Sequence, residues 1–364
     1  MKISVQKNAF AEAIQKLTSI IGSRTTLPIL NNVLIKAAGN FITLETTDLD
    51  VRITTKIEAT VDKEGSTTVP AKKLLLFVKD FQGDKVNLQS DESFNLRIES
   101  GESSYKLLGI TPDEFPNPAT INTTRKIIIP QSDLYRYLNL VSYASSTDES
   151  RKILNGVLLS LKSNMLITVA TDGKRLAIIE KPVEKFEGSE GDVVFHSRVA
   201  NEVQRIMSRD GNAEIEVGDK MIKFNMGNTT LTSKIMEGSF PNYRQVIPTS
   251  FTRKAEINKE SFHSSLRRIM NVISDSNPLV TVAFSEGKTT LTATSAEIGE
   301  GRESMQVKYS GPDFKILLNP NFLADPLKTM TIDKFVFQMN DGFSPVSLLG
   351  DEGFLYIMMP VRNK

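Results

Sequence analysis

Apolar residues spaced i, i+4 and i+7 occur three times along the chain. They are Phe10, Ile14 and Leu17, then Leu134, Leu138 and Val141, then Phe262, Leu266 and Ile269. That spacing places the three side chains of each set on one face of a helix. It predicts helices over residues 7–21, 132–143 and 259–273, the first stopped at Gly22. A short strand precedes each. Between them, residues 41–46, 165–170 and 289–294 alternate apolar and polar at period two, as strands with one buried face do. Each third then carries a second helix entered straight from a strand: 71–81, 197–207, and one after 314–318 that Asn319 can cap, with Pro320 at its first position. Further alternating strands are expected at 86–88, 94–98, 213–217, 231–235 and 335–339. The fold class is α+β: three tandem copies of a domain with two helices and roughly eight short antiparallel strands.

Other landmarks repeat at the same interval. Phe10 to Leu134 is a shift of 124 residues and Leu134 to Phe262 one of 128; Thr47-Asp48-Leu49 returns as Thr171-Asp172-Gly173, and Phe115-Pro116-Asn117 as Phe240-Pro241-Asn242. Solenoid repeats are 20–50 residues long, whereas this interval is the size of a domain. Residues 112–124 and 247–253 read as linkers, and the domains are expected at 1–121, 122–247 and 248–364.

The 364 residues include no cysteine, so disulfides, thiol nucleophiles and thiolate metal sites are excluded. No apolar run is long enough to span a bilayer and no signal peptide is visible, which suits a cytoplasmic protein. A net charge of +1 leaves nucleic-acid binding to the distribution of charge. The two histidines, His196 and His263, lack a partner at metal-ligand spacing. Gly287-Lys288-Thr289 lacks the first glycine of a phosphate loop and lies between strands, so a tight turn is expected. Thr47, Asp48 and Asp50 are read as a turn held by side-chain hydrogen bonds rather than a cation site. No metal, cofactor or catalytic constellation is expected.

Opposite their apolar stripes the helices carry Lys7, Lys16, Lys72, Lys73, Lys79, Arg136, Arg198, Arg205, Arg209, Arg267, Arg268 and Lys328. Six helices with this bias, turned to one side, would attract phosphates without reading sequence.

The repeat, together with Thr26-Leu27-Pro28-Ile29-Leu30, Leu154-Asn155-Gly156, Ala170-Thr171-Asp172-Gly173-Lys174-Arg175-Leu176, Phe240-Pro241-Asn242-Tyr243-Arg244 and Met359-Pro360-Val361-Arg362, resembles the bacterial DNA polymerase III β subunit, the sliding clamp family, over the whole chain. The resemblance implies a homodimer closed head to tail into a six-domain ring around double-stranded DNA, without enzymatic activity. It implies DNA contacts at Arg24, with Arg151, Arg198 and Arg205 as companions; Lys152 and Ile153 stand where the family has aromatics. Partners, among them the polymerase α subunit, the clamp loader, translesion polymerases and repair proteins, would dock short linear motifs into a pocket between the second and third domains. The matching positions are Leu154, Thr171, Gly173, Arg175, Leu176, Pro241, Val246, Met358, Met359, Pro360, Val361 and Arg362. Gln245 and Pro345 depart from an arginine and a serine found in some members. The dimer seam would pair strands near 103–110 and 296–304, with Lys73 and Arg97 facing Glu297, Glu300 and Glu303, and Ile110, Val272 and Ile273 as the apolar contact. Two readings from other classes are a hydrolase or transferase using Asp48 or Asp172 as acid, and a repeat-built adaptor that binds protein only.

Overall fold

A computed structural model describes residues 1–22, 27–274 and 278–362. Six α-helices among the described residues fall where the periodicity puts them: α1 Lys7–Leu17, α2 Ala71–Asp80, α3 Gln131–Val141, α4 Ser197–Ile206, α5 Lys259–Met270 and α6 Pro320–Thr329. The first helices of the first two repeats run on as single 3-10 turns, Thr18–Ile20 and Ser142–Ala144, which complete the spans the pattern predicts. The third ends three residues earlier than expected. All three apolar triplets are buried, none of their side chains above 2% exposed, and each contributes about 1.5–3 kcal/mol per residue through burial. Asn319 caps α6 by accepting from the Asn321 N–H at 2.9 Å.

One contact recurs in every repeat and explains why its two helices stay together. The N–H at the first position of the first helix donates to a carbonyl beyond the second helix: Lys7 to Asp84 (2.8 Å), Gln131 to Gly211 (2.9 Å) and Lys259 to Asp333 (2.8 Å). The side chain of the same residue reaches the same neighbourhood. Lys7 Nζ donates to the Phe81 carbonyl, Gln131 Nε2 to that of Asp210, and Lys259 Nζ to that of Met330.

The described strands number nine, nine and eight in the three repeats, and every pair in the ladders is antiparallel. They form sheets of five, nine, eight and four strands. The nine-stranded sheet joins first- and second-repeat strands where Thr229–Lys234 pairs with Val51–Glu58. The eight-stranded sheet joins second- and third-repeat strands where Phe354–Met358 pairs with Arg175–Pro182. The middle repeat is thereby shared between two compact units. Unit 1 holds Met1–Tyr135, Val183–Ser189 and Arg198–Ile235; unit 2 holds Arg136–Pro182, Glu190–Ser197 and Met236–Lys364. The strand expected from residue 94 begins instead at Leu96, because Asp91 Oδ1 accepts from the N–H groups of Ser93 and Asn95 and turns the chain, with Phe94 at φ +62°.

Candidate peptide-binding and interface surfaces

The repeated Thr-Asp motif folds into the same turn twice. In unit 1, Thr47 Oγ1 donates to the Val51 carbonyl (2.9 Å) and accepts from the Leu49 N–H, while Asp48 Oδ1 accepts from the N–H groups of Asp50 and Val51. In unit 2, Thr171 Oγ1 donates to the Arg175 carbonyl (2.6 Å) and accepts from the Gly173 N–H, while Asp172 Oδ1 accepts from those of Lys174 and Arg175. The expected side-chain-held turn is therefore what Asp48 makes. Among the described residues no group of three or more His, Asp or Glu is placed to hold a metal ion. His263 has its Nε2 buried without a partner, and burial pushes its pKa down.

In unit 2 the turn meets the end of the chain. Arg175 pairs in register with Met358, the Met359 N–H donates to the Lys174 carbonyl (2.9 Å), and the Val361 N–H donates to that of Leu317 (2.9 Å). Of the twelve positions expected to line a pocket, Leu154, Thr171, Leu176, Met358 and Pro360 are buried. Gly173, Pro241, Val246, Met359 and Arg362 are exposed around them, with Val361 half-buried. Leu176 belongs to an apolar cluster with Leu158, Val194 and Ile357, and Ile153, Phe240, Tyr243 and Ile247 pack on it from the rim. None of those four was assigned to this surface from the sequence, although Phe240 and Tyr243 lie in the quoted Phe-Pro-Asn-Tyr-Arg motif and Ile153 was named only where the family has aromatics.

Arg175 is not a free cation of this surface. Its Nε donates to Asp172 Oδ2 (3.0 Å), Nη1 to Asp325 Oδ2 on α6 (2.6 Å) and Nη2 to the Tyr143 carbonyl (2.8 Å), and its guanidinium lies 4.5 Å from the Phe322 ring centroid. Burial acts to lower its pKa, but the carboxylates of Asp325 and Asp172 oppose this and hold the cation. Burial also pushes the Tyr143 and Tyr356 hydroxyls up, so both stay neutral.

The arginines expected at DNA are placed unevenly. Arg24 lies outside the described residues. Arg151 is exposed beside the Gly173 turn, its Nη1 3.1 Å from where a Cβ on Gly173 would stand. In unit 1, Arg198 pairs with Asp48 Oδ2 at 2.8 Å. Arg205 donates to Glu202 and Ser19 and to the carbonyls of Gln15 and Lys16 at the end of α1, so α4 is pinned to α1. Among the helix cations, Lys72, Lys73, Lys79 and Arg267 are exposed, with no ion pair among the described residues.

Both strands expected at a dimer seam are sheet edges: Ser103–Leu107 in the five-stranded sheet and Gly299–Gln306 in the four-stranded one. Lys73, Arg97, Glu297 and Glu300 are exposed there, and Ile273 is half-buried. Three of the expected seam residues also make contacts within the chain. Ile110 packs inward on Ile29, Leu30, Leu34 and Phe115, held by hydrogen bonds to Thr68. Val272 lies against Gly301, where a Cβ would come within 2.9 Å of it. Glu303 already takes two hydrogen bonds from Arg268, at 2.8 and 2.6 Å, which hold its carboxyl below the usual range. The apolar side chains that do stand out at these edges are Leu108, 74% exposed, and Ile298, 55% exposed. No periodicity marks them.

Family models for the DNA polymerase III beta subunit match in order: its N-terminal domain at residues 1–119, central domain at 128–242 and C-terminal domain at 244–362. The beta sliding clamp of Chlamydia pneumoniae is 30% identical over 362 residues, covering 100% of this chain and 99% of the relative. That of Escherichia coli K12 is 26% identical, covering 100% of both. Among solved structures, a sliding clamp of Pseudomonas aeruginosa bound to griselimycin superposes with a TM-score of 0.95 at 27% identity, over 100% of both chains.

Proposed function

Because the chain belongs to the DNA polymerase III beta-subunit family and is a sliding clamp of DNA replication, a non-catalytic processivity factor, we propose that two copies close head to tail around duplex DNA. The observation that carries this is a rule the chain obeys twice. The last strand of the second repeat adds to the strand after the first Thr-Asp turn, and the last strand of the third repeat adds to the strand after the second. The corresponding strand of the first repeat, Ser103–Leu107, and the third-repeat strand Gly299–Gln306, which follows a turn where Ser295 Oγ accepts from the Glu297 and Ile298 N–H groups, each keep one side unpaired. Exposed edges are normally blunted or covered, and a heterologous contact between unlike edges builds a ring when its rotation closes.

The domains are then 1–121, 122–247 and 248–364, six to a ring, working in the cytoplasm; no helix among the described residues is long and apolar enough to cross a membrane. Arg24 with the exposed Lys72, Lys79 and Arg267 supplies weak phosphate attraction. Arg198 and Arg205 act through the joint between α1 and α4, and Arg151 at the rim of the Gly173 turn. The surface around Leu176, Met358 and Met359 receives short apolar motifs of polymerase, clamp loader and repair partners. Methionine suits a site with several occupants because its side chain repacks at little cost.

The test is mass by light scattering beside retention on nicked circular and linearised DNA. A dimer retained only on the circle is expected; a monomer, or equal loss from both, overturns the reading. Replacing Met359 and Pro360 together should remove partner-peptide binding and leave the dimer intact.

A further inference from the structure

Helices often end on a residue in the left-handed region, and glycine is usual there because a Cβ is strained in it. The second helix of the middle repeat ends on an arginine instead. Arg209, shortly beyond the end of α4 at Ile206, has φ +71°. The shared contact between helix starts and turn carbonyls places Gln82 and Thr331 at the same position of the other repeats, and neither adopts a positive φ.

Buried Gln131 imposes this conformation from both sides. Its Oε1 accepts from the Ser208 N–H (3.1 Å) and its Nε2 donates to the Asp210 carbonyl (2.7 Å), so Arg209 sits between two fixed peptide groups. Backbone strain persists only where the surroundings over-determine it, and it collects at ligand contacts. The side chain is set as firmly. Its guanidinium carbon lies over the Tyr135 ring, 3.9 Å from the centroid, with both residues in unit 1. Stacking fixes the guanidinium plane and leaves its N–H groups free to bond. Arg209 is exposed, and among the described residues its guanidinium has no hydrogen bond or ion pair, although Asp210 is the next residue.

We propose that Arg209, held over Tyr135, is a fixed bidentate contact for the backbone phosphates of duplex DNA. The inference rests on the DNA reading above and adds a contact of another kind. Lys72, Lys79 and Arg267 must lose rotamer freedom on meeting a phosphate, whereas Arg209 has lost it already. A guanidinium fork matches two phosphate oxygens and reads no sequence, which suits a protein that slides.

The test is a salt titration of the full chain on a labelled duplex, read by fluorescence anisotropy beside thermal unfolding. Arg209→Gly should melt close to wild type, because relief of the strain offsets a freer unfolded chain. It should nevertheless bind duplex about three- to tenfold more weakly, with the log–log salt slope reduced by about one. Tyr135→Leu keeps the charge and frees the guanidinium, so the slope should stay while affinity falls about twofold. Unchanged duplex affinity in Arg209→Gly overturns the proposal and leaves the guanidinium to an acidic protein partner. A loss with an unchanged salt slope in that variant overturns it too. A wild type without salt-dependent affinity for duplex would sink the DNA reading itself and this inference with it.

Discussion

The turns at Asp48 and Asp172 share a backbone and differ in what they support. Leu49 and Gly173 both occupy the left-handed region, at φ +79° and +84°, a conformation that costs a side-chain-bearing residue about 1–2 kcal/mol. Where unit 2 has the buried Leu176, unit 1 has Arg52, which donates to Glu45 (2.7 Å) and to the Pro116 carbonyl and lies 5.5 Å from the Phe115 ring centroid. Lys234, paired with Asp50, stands where unit 2 presents Met359. The cleft left beside the unit 1 turn is only about 100 Å³, lined by Leu49, Arg52, Pro116 and Met221 among others. Repetition thus delivers the scaffold twice. One leucine-to-arginine exchange and one methionine-to-lysine exchange leave an apolar floor in one copy and a filled, charged one in the other.

Exchanging residues between the copies breaks that contrast in order of severity. Leu176→Arg places a guanidinium in a site with no carboxylate like Glu45, so stability should fall by about 3–5 kcal/mol and peptide binding should vanish. Denaturant unfolding and anisotropy read both. Arg52→Leu is gentler, because Lys36 remains beside Glu45 at 3.1 Å; a loss of about 1–2 kcal/mol is expected. Unchanged stability would mean that Arg52 does not hold the unit 1 floor closed. At the edges, Leu108→Asp should raise the dimer dissociation constant about a hundredfold or more, read by sedimentation at several concentrations. Leu49→Gly relieves the left-handed leucine but loosens the unfolded chain, for a net gain below about 1 kcal/mol. Gly173→Leu should instead destabilise, since a side-chain-bearing residue is strained at φ +84°.

A pH series sharpens the edge contrast. The Glu303 carboxyl has a folded pKa below its ordinary value, so its pairing with Arg268 stabilises the fold above the usual glutamate range and is lost as pH falls through it. Arg268→Gln should therefore differ slightly from wild type in unfolding midpoint at pH 7 and match it near pH 3; a difference that persists in acid would assign the pair no role.

The features read from local pattern were those that local physics determines. The i, i+4, i+7 triplets found the helices, Asn319 its cap, and the Thr-Asp repeat its turn, because each depends on residues within a few positions. What escaped depends on distant partners. Nothing near Arg198 or Arg205 announces Asp48 or the end of α1, and nothing near Arg151 announces Gly173. Ile110 and Leu108 are equally apolar and two residues apart; only the packing of Phe115 and Leu30 on one side tells which is turned inward.

The strand-lending rule has a consequence for control. In the ring proposed above, each chain gives the Ser103–Leu107 edge and receives at Gly299–Gln306, so a third copy could join only if a pair first parted. An extended oligopeptide copying residues 103–108 would act as a chain terminator: it would saturate the receiving edge, leave the motif-binding surface untouched, and convert a topological lock into an open bracelet.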